Sequence, residues 1–312
     1  MNPQTVDRSD PAEAGRCYLD TPRGRFALLQ TQWPGRPVLM VPGYTGSKED
    51  FTAVLNPLAA ASYRVSAMDQ RGQFETPGPD DDAAYTVAEL AQDVLAVLAE
   101  LGSADEPVHL LGHSFGGLVA RAAVLADPGP VASLVLLDSG PAAIGGGRKE
   151  RMHALEPMFA AGGMPAVYAA MEQLAAGDPA WLASPPEFKA FLKRRFLESS
   201  PAGLRAMGDA LRTEPDRVAE LRRAGVPLLV AYGEHDDAWP PAVQAEMARR
   251  LDAGHAVIPG SVHAPAAENP AETIRVLSEF WSAVDTGMRE GPHYKQAKTR
   301  MATSPLRRME AS

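Results

Sequence analysis

The sequence is poor in the features that anchor a protein in a membrane or cross-link it covalently. Cys17 is the only cysteine, which excludes an intrachain disulfide and a metal cage built from cysteines. No stretch approaches the roughly 18 consecutive apolar residues of a membrane-spanning helix. The polar N-terminus also lacks the apolar segment of a cleaved secretion signal. We therefore expect a cytoplasmic protein with no membrane partner.

Positive charge is also scarce, because the chain has 30 basic and 39 acidic residues and therefore a net charge of −9. An acidic chain is poorly suited to phosphate backbones, so no nucleic acid partner is expected. The charge is unevenly distributed, since residues 286–312 hold six basic and two acidic side chains. We expect this segment to be a basic, disordered C-terminal tail, and residues 1–15 to form a flexible N-terminus.

Short apolar runs alternate with longer segments of helical periodicity through most of the chain. The runs are rich in Val and Leu and are bounded by Gly, Pro or Asp, which is typical of strands buried on both faces. They are Val38–Val41, Arg64–Met68, Val108–Leu111, Leu134–Leu137 and Leu228–Ala231. Between two of them, Thr86–Leu101 has one apolar face and a capping threonine. The pattern predicts the α/β class, with a mostly parallel twisted sheet and helices on both faces.

The alternation stops after the strand Leu134–Leu137, which we take to be the sixth strand of the fold. Residues 140–225 contain helical patterns, interrupted by Gly and Pro, and no convincing strand. We interpret them as a helical lid inserted into a core that is made of residues 16–139 and 226–285. Methionine and aromatic side chains of this segment are candidates to line an apolar pocket. We expect Phe159, Tyr168 and Trp181, together with Tyr44, to bind substrate.

The strongest functional signal is the run Gly112-His113-Ser114-Phe115-Gly116-Gly117. It follows the predicted strand Val108–Leu111 and precedes a helical pattern, which is the context of a G-x-S-x-G nucleophile turn. Such a turn holds a serine with strained backbone angles, and the flanking glycines let the chain approach itself closely. The pattern therefore indicates that Ser114 is a nucleophile.

A serine hydroxyl needs a base, and the base needs an orienting carboxylate. In α/β proteins of this kind the three groups follow in the order Ser, acid, His. Here the strand Leu228–Ala231 runs into the acidic turn Tyr232–Asp237, and His263 follows a later candidate strand. Asp138, at the end of the strand Leu134–Leu137, is an alternative acid. Each of these groups lies at the carboxyl end of a predicted strand, where active sites of open α/β sheets collect.

These blocks resemble the α/β-hydrolase fold family over about Tyr18 to Val284. The motifs that match in order are VPGYTGS, DQRG, GHSFGG, LLDSGP, YGEHD and GSVHAP. The resemblance implies that Ser114 is the nucleophile, His263 the general base and Asp236, rather than Asp237, the acid.

The same resemblance implies that the backbone amides of Tyr44 and Phe115 form an oxyanion hole. Two loops depart from the family pattern. Pro42-Gly43 stands where the family usually has His-Gly, and Gln73–Thr76 follows the DQRG turn where Gly and Ser are usual. We expect the first loop to be braced differently, because Pro42 lacks a backbone donor and an imidazole. We expect the second loop to shape an unusual entrance to the site.

The sequence thus predicts a serine hydrolase that cleaves a small apolar carboxylic ester or lactone through an acyl-enzyme. No cofactor and no metal are expected, since His235 next to Asp236 has no third ligand in register. Three alternatives stay open: amide hydrolysis of the aminopeptidase kind, with Glu156, Glu172 or Glu187 as a pocket carboxylate; cofactor-free haloperoxidase or perhydrolase chemistry; and non-catalytic ligand binding. The sequence leaves the oligomeric state open.

Overall fold

The computed structural model describes residues 13–177 and 179–287, except for the side chains at 147, 155, 156, 159–161 and 180. Eight strands form one sheet in the order β1-β2-β4-β3-β5-β6-β7-β8. Their bounds are Ala14–Thr21 (β1), Gly24–Thr31 (β2), Arg36–Val41 (β3), Tyr63–Met68 (β4), Val108–His113 (β5), Val131–Leu137 (β6), Leu228–Gly233 (β7) and Gly254–Ile258 (β8). β2 pairs antiparallel with both β1 and β4, whereas β4, β3, β5, β6, β7 and β8 are parallel to one another.

Eleven helices connect or follow the strands in the described part of the chain. They are Thr52–Ala60 (α1), Val87–Leu101 (α2), Phe115–Ala126 (α3), Gly146–Ala175 (α4), Pro179–Ala183 (α5), Pro186–Glu198 (α6), Pro201–Thr213 (α7), Val218–Arg223 (α8), Pro241–Leu251 (α9), Pro265–Glu268 (α10) and Pro270–Asp285 (α11). Thr86 caps α2 by accepting a hydrogen bond from the Glu89 amide, as its sequence predicts.

Helices cover both faces of the sheet, and this arrangement confirms the predicted fold class. Successive strand residues point to opposite faces, so Leu110 joins the apolar cluster under α2, α3, α8 and α9, whereas Leu111 joins the cluster under α1 and α11. The central strands are buried on both sides, which explains why they appear in the sequence as continuous apolar runs. Burying one such leucine contributes about 2 kcal/mol.

The segment between β6 and β7 contains α4 to α8. α4 is kinked where Gly163 adopts a left-handed φ of 64°, two residues before Pro165. A glycine at this position avoids the steric cost that a Cβ would carry at positive φ, and a proline cannot donate to the preceding turn. That this segment acts as a lid stays a prediction.

The hairpin of β1 and β2 was not predicted, and it begins inside the segment expected to be flexible, at Ala14. The rest of that segment, residues 1–12, and nearly all of the expected basic tail, residues 288–312, lie outside the described residues. Of the helices described, none is both long and apolar enough to cross a membrane.

Candidate active site

The loops at the carboxyl ends of six parallel strands, β3 to β8, meet at one edge of the sheet. Ser114 is the single residue between β5 and α3, and its backbone angles are φ 53° and ψ −121°. Its amide donates to the Leu137 carbonyl at 2.9 Å, and its carbonyl accepts from the Gly117 amide at 2.9 Å. These bonds hold a backbone conformation that a non-glycine residue rarely adopts.

The glycines on both sides of Ser114 are required by close backbone contacts. A Cβ on Gly112 would lie 2.6 Å from the Gly117 Cα, and one on Gly116 would lie 2.5 Å from the Pro42 carbonyl oxygen. Both distances are far below van der Waals contact, so only glycine lets β5, α3 and the loop after β3 approach one another. The spacing of the G-x-S-x-G motif thus has a direct steric cause.

The structure brings Ser114, His263 and Asp236 into one hydrogen-bonded line. His263 Nε2 lies 3.0 Å from the Ser114 hydroxyl, and His263 Nδ1 lies 2.8 Å from Asp236 Oδ1. Because a carboxylate only accepts, Nδ1 carries the ring proton and Nε2 is free to accept from the serine. The line can therefore move a proton from the hydroxyl to the imidazole.

Asp236 and Asp237 have different environments. The buried carboxylate of Asp236 also accepts from the Ala238 amide at 2.8 Å and from Gln244 Nε2 at 2.6 Å. Asp237 is half-exposed and instead pairs with Arg148 and Arg151. Of the two neighbours, Asp236 is thus the one that contacts the imidazole.

Asp138, the alternative acid, lies beside this line but does not bond to the histidine. It follows β6 with φ 45°, and its Oδ1 accepts from the Gly233 amide at 2.8 Å. Ligand atoms of Asp138, Asp236 and His263 all lie within 4.8 Å of one another. Burial, and then the negative charge of Asp236, raises the pKa of Asp138 well above its ordinary range. Both His263 nitrogens are already hydrogen-bonded, so this trio is poorly suited to hold a metal.

His113 holds the backbone of His263 in place. Its Nε2 donates to the His263 carbonyl at 2.7 Å, and its ring lies tilted against that of His263. Burial, followed by the nearby His263, lowers the pKa of His113 to about 4. His113 is therefore a neutral donor that fixes the backbone of His263.

The loop that carries Tyr44 runs against the serine, since a Cβ on Gly43 would lie 2.9 Å from the Ser114 Cβ. Phe115 is the first residue of α3, so its amide has no partner within the helix. Both predicted oxyanion donors thus belong to segments that border Ser114.

Two glutamine side chains hold the loop after β3, in which Pro42-Gly43 replaces the His-Gly that is usual in the family. Gln70 Nε2 donates to the Pro42 carbonyl and Gln73 Nε2 to the Gly43 carbonyl, both at 2.8 Å. The two departures from the family pattern are therefore linked, because Gln73 in one loop braces the other. The sequence shows that both loops are unusual, but the contact between them is visible only in the structure.

A cavity of about 760 Å³ opens above Ser114 and His263. Its apolar wall comes mainly from the segment between β6 and β7 and includes Ile144, Met152, Val167, Met171, Leu174 and Phe196. Its polar wall holds five arginines, at positions 148, 151, 195, 205 and 212, which the sequence analysis did not anticipate. They lie on three helices, α4, α6 and α7, so no single local motif contains all five.

Of the predicted substrate contacts, Tyr44 lines this cavity. Tyr168 does not, because it is buried within the helical segment, where its ring packs 5.6 Å from that of Phe196. Trp181 also lies outside the lining, with the Lys189 ammonium 5.3 Å from its ring centroid. The side chain of Phe159 lies outside the described residues.

Comparisons with known proteins agree with this architecture. A model of the alpha/beta hydrolase family matches residues 38–276. RutD of Variovorax paradoxus, a putative carbamate hydrolase, is 40% identical over 105 residues, which are 34% of this chain and only 38% of that curated relative's length. The pimeloyl-[acyl-carrier protein] methyl ester esterase of Aeromonas hydrophila is 29% identical over 72% of this chain and 87% of its own.

Among solved structures, a thermophilic esterase from Thermogutta terrifontis superposes with a TM-score of 0.69 at 25% identity. The match covers 87% of this chain and 99% of that one. The family model alone accounts for well over half of the chain, including all three residues of the hydrogen-bonded line. The chain belongs to the alpha/beta hydrolase family.

Proposed function

We propose that this protein cleaves a carboxylic ester or lactone through an acyl-enzyme formed on Ser114. The observation that carries the proposal is the line from Ser114 through His263 to Asp236, with distances of 3.0 Å and 2.8 Å. These are productive distances for general-base activation of a serine hydroxyl. The related pimeloyl ester esterase and the Thermogutta esterase are named for ester hydrolysis, which supports the same chemistry here.

In the first half-reaction, Ser114 Oγ attacks the ester carbonyl while His263 Nε2 takes the hydroxyl proton. The new C–O bond gives a tetrahedral oxyanion, and Asp236 stabilises the imidazolium that forms beside it. When the oxyanion collapses, the ester C–O bond breaks and His263 returns the proton to the departing alkoxide. The alcohol leaves, and the acyl group stays on Ser114.

In the second half-reaction, His263 removes a proton from water, and the resulting hydroxide attacks the acyl-enzyme. Collapse releases the carboxylic acid and returns the proton to Ser114. We assign stabilisation of both oxyanions to the amides of Tyr44 and Phe115. One such donor typically lowers the barrier by about 3 kcal/mol.

Ester or lactone cleavage is favoured over amide cleavage of the aminopeptidase kind. That alternative requires a cavity carboxylate for the substrate amine, and neither Glu172 nor Glu187 is among the described lining residues. The carboxylates that do line the cavity, Asp50, Asp209 and Asp237, are each paired with arginine. The side chain of Glu156 lies outside the described residues. Haloperoxidase or perhydrolase chemistry and ligand binding without turnover remain to be separated by assay.

The proposal is tested with Ser114→Ala and a matched control, Ser261→Ala, which removes another buried hydroxyl near His263. We expect Ser114→Ala to lose at least a thousandfold in kcat on p-nitrophenyl esters while remaining folded, and Ser261→Ala to retain most activity. A fluorophosphonate probe should label Ser114. Unchanged esterase activity of Ser114→Ala, or labelling at another residue, contradicts the assignment.

The same preparation is then assayed on lactones, aminoacyl anilides and acetate with peroxide. Higher specificity for anilides, or halogenation in the presence of peroxide, would replace the ester proposal by the corresponding alternative. Tight binding of esters without turnover would indicate a ligand receptor.

A further inference from the structure

The cavity above Ser114 is positive although the chain as a whole is acidic. The charged side chains among its described lining residues, histidines aside, are five arginines and three aspartates, Asp50, Asp209 and Asp237. The chain carries a net charge of −9. A local excess of guanidinium groups in such a chain indicates that this cavity receives negative charge.

Three of the five arginines each have a carboxylate of their own. Arg195 binds Asp50 at 2.5 Å and also donates to the Ser47 hydroxyl. Arg205 pairs with Asp82 at 3.0 Å, and Arg212 pairs with Asp209. These pairs are close to neutral and leave little attraction for a further anion.

Arg148 and Arg151 differ, because among the described side chains they share a single carboxylate. Arg148 Nη2 lies 2.7 Å from Asp237 Oδ1, and Arg151 Nη2 lies 3.2 Å from Asp237 Oδ2. Burial acts to raise the pKa of Asp237, but the hydrogen bond and charge of Arg148, with His263 and Arg151, hold it below its ordinary range. Asp237 is thus ionised at neutral pH, and the cluster keeps one unbalanced positive charge.

This cluster belongs to the same cavity as the reacting groups. Asp237 directly follows Asp236, and Arg148, Arg151, Ser114 and His263 all line one space. Guanidinium groups that are one-third to one-half exposed, at 32% and 53%, have donors to spare for a second partner. Planar guanidinium forks match carboxylates in geometry, which makes a carboxylate the fitting ligand.

Resting on the ester hydrolysis proposed above, we propose that Arg148 and Arg151 bind a carboxylate of the substrate, remote from the bond that is cleaved. The substrate class is then the half-ester of a dicarboxylic acid, or a lactone that bears a carboxylate. The apolar wall formed by Ile144, Met152 and Leu174 receives the alkyl spacer between the two ends. The proposed substrate therefore differs from the small apolar ester or lactone that the sequence predicts, because it has an apolar middle and an anionic end.

The test compares monomethyl esters of C4 to C8 dicarboxylic acids with the matching dimethyl diesters, which differ only in the free carboxylate. We expect the wild-type protein to have a kcat/KM at least tenfold higher for the best half-ester. Arg148→Gln/Arg151→Gln should raise KM for the half-ester about tenfold or more and change kcat/KM for the diester by less than threefold.

Asp237→Asn serves as the opposite perturbation, because it removes the carboxylate that competes for both arginines. We expect it to lower KM for the half-ester severalfold. Arg249→Gln removes an arginine that pairs with Glu246 outside this cavity, and it should leave both substrates unaffected. A folding defect in the double variant would lower activity on both substrates equally, whereas loss of a carboxylate site affects only one.

Equal kcat/KM for half-esters and diesters, or equal losses on both in the double variant, overturns the carboxylate site while the hydrolase proposal stands. If the wild-type protein cleaves neither substrate and the fluorophosphonate does not label Ser114, the proposed function itself fails. The two failures are therefore distinguishable.

Discussion

The buried carboxyl groups of Asp138 and Asp236 lie side by side beneath the histidine of the proposed triad. Asp236 accepts hydrogen bonds from Ala238, Gln244 and His263, whereas Asp138 Oδ2 has no donor among the described residues. Two carboxyl groups can bond to each other only if one carries a proton. Because burial and the charge of Asp236 raise the pKa of Asp138, we predict that Asp138 is the protonated member at neutral pH.

The perturbation that tests this is Asp138→Asn, whose amide keeps the size of the side chain and can replace the O–H donor. If Asp138 is neutral, the acid limb of the kcat/KM profile against pH should stay where it is. If Asp138 were ionised, its charge within 4.8 Å of His263 would stabilise the imidazolium by about 3 kcal/mol at an effective dielectric constant near 20. Removing that charge would move the acid limb down by about two pH units.

A second measurement follows from proton linkage. A carboxyl that holds its proton more tightly in the folded state stabilises the protein at low pH, and this stability is lost as pH rises toward the folded-state pKa. Urea unfolding should therefore show the wild-type protein losing up to about 1.4 kcal/mol per pH unit relative to Asp138→Asn above about pH 4. Asp127→Asn, at an exposed helix end, controls for the loss of one carboxyl.

A downward move of the acid limb in Asp138→Asn, or parallel stability curves for the two proteins, refutes the neutral Asp138. The first result would show a second ionised carboxylate at the site, and the second would show that Asp138 does not bind an extra proton in the folded state.

Two further predictions concern groups around Ser114. Because the pKa of His113 is lowered to about 4 in the folded protein, whereas the unfolded imidazole takes its proton near 6.5, acid should destabilise the wild-type protein more than His113→Gln. The difference in unfolding free energy should grow to about 2 kcal/mol at pH 5. Urea unfolding at several pH values measures it. An equal acid sensitivity of both proteins would contradict this reasoning. Gly116→Ala, which places a Cβ 2.5 Å from the Pro42 carbonyl, should lower stability by about 1–3 kcal/mol and reduce kcat, whereas Gly145→Ala, with open space around it, should unfold like the wild-type protein.

The parts of the fold that the sequence predicts well are those with local signals. Five central strands are buried on both faces, so each forms an apolar run that is visible without knowing its neighbours. β1 lacks this signal, because all of its residues are half-buried or exposed. β2 does contain a buried apolar run, Phe26–Leu29, which was not predicted to be a strand. Its antiparallel pairing with β1 and β4 is visible only in the structure.

The residues of the candidate site also differ in how well the sequence predicts them. Ser114 is marked by glycines that its own turn requires, and the order of the acidic turn and His263 follows from the strand ends. The choice of Asp236 over Asp138 and Asp237 rests on the family resemblance in the sequence and, in the structure, on which carboxylate contacts His263. The brace from Gln73 to Gly43 joins loops 30 residues apart, and its recognition required coordinates.

The arginines of the cavity show why substrate class was harder to predict than reaction class. The reacting groups come from strand ends of one sheet, whose parallel order brings any such residues together. The arginines come from α4, α6 and α7, whose relative placement depends on how helices pack over the sheet edge. Substitution of Arg148 or Arg151 should therefore change which ester is bound, because neither touches the hydrogen-bonded line, whereas a change at Gln244 acts on Asp236 and so on every substrate alike.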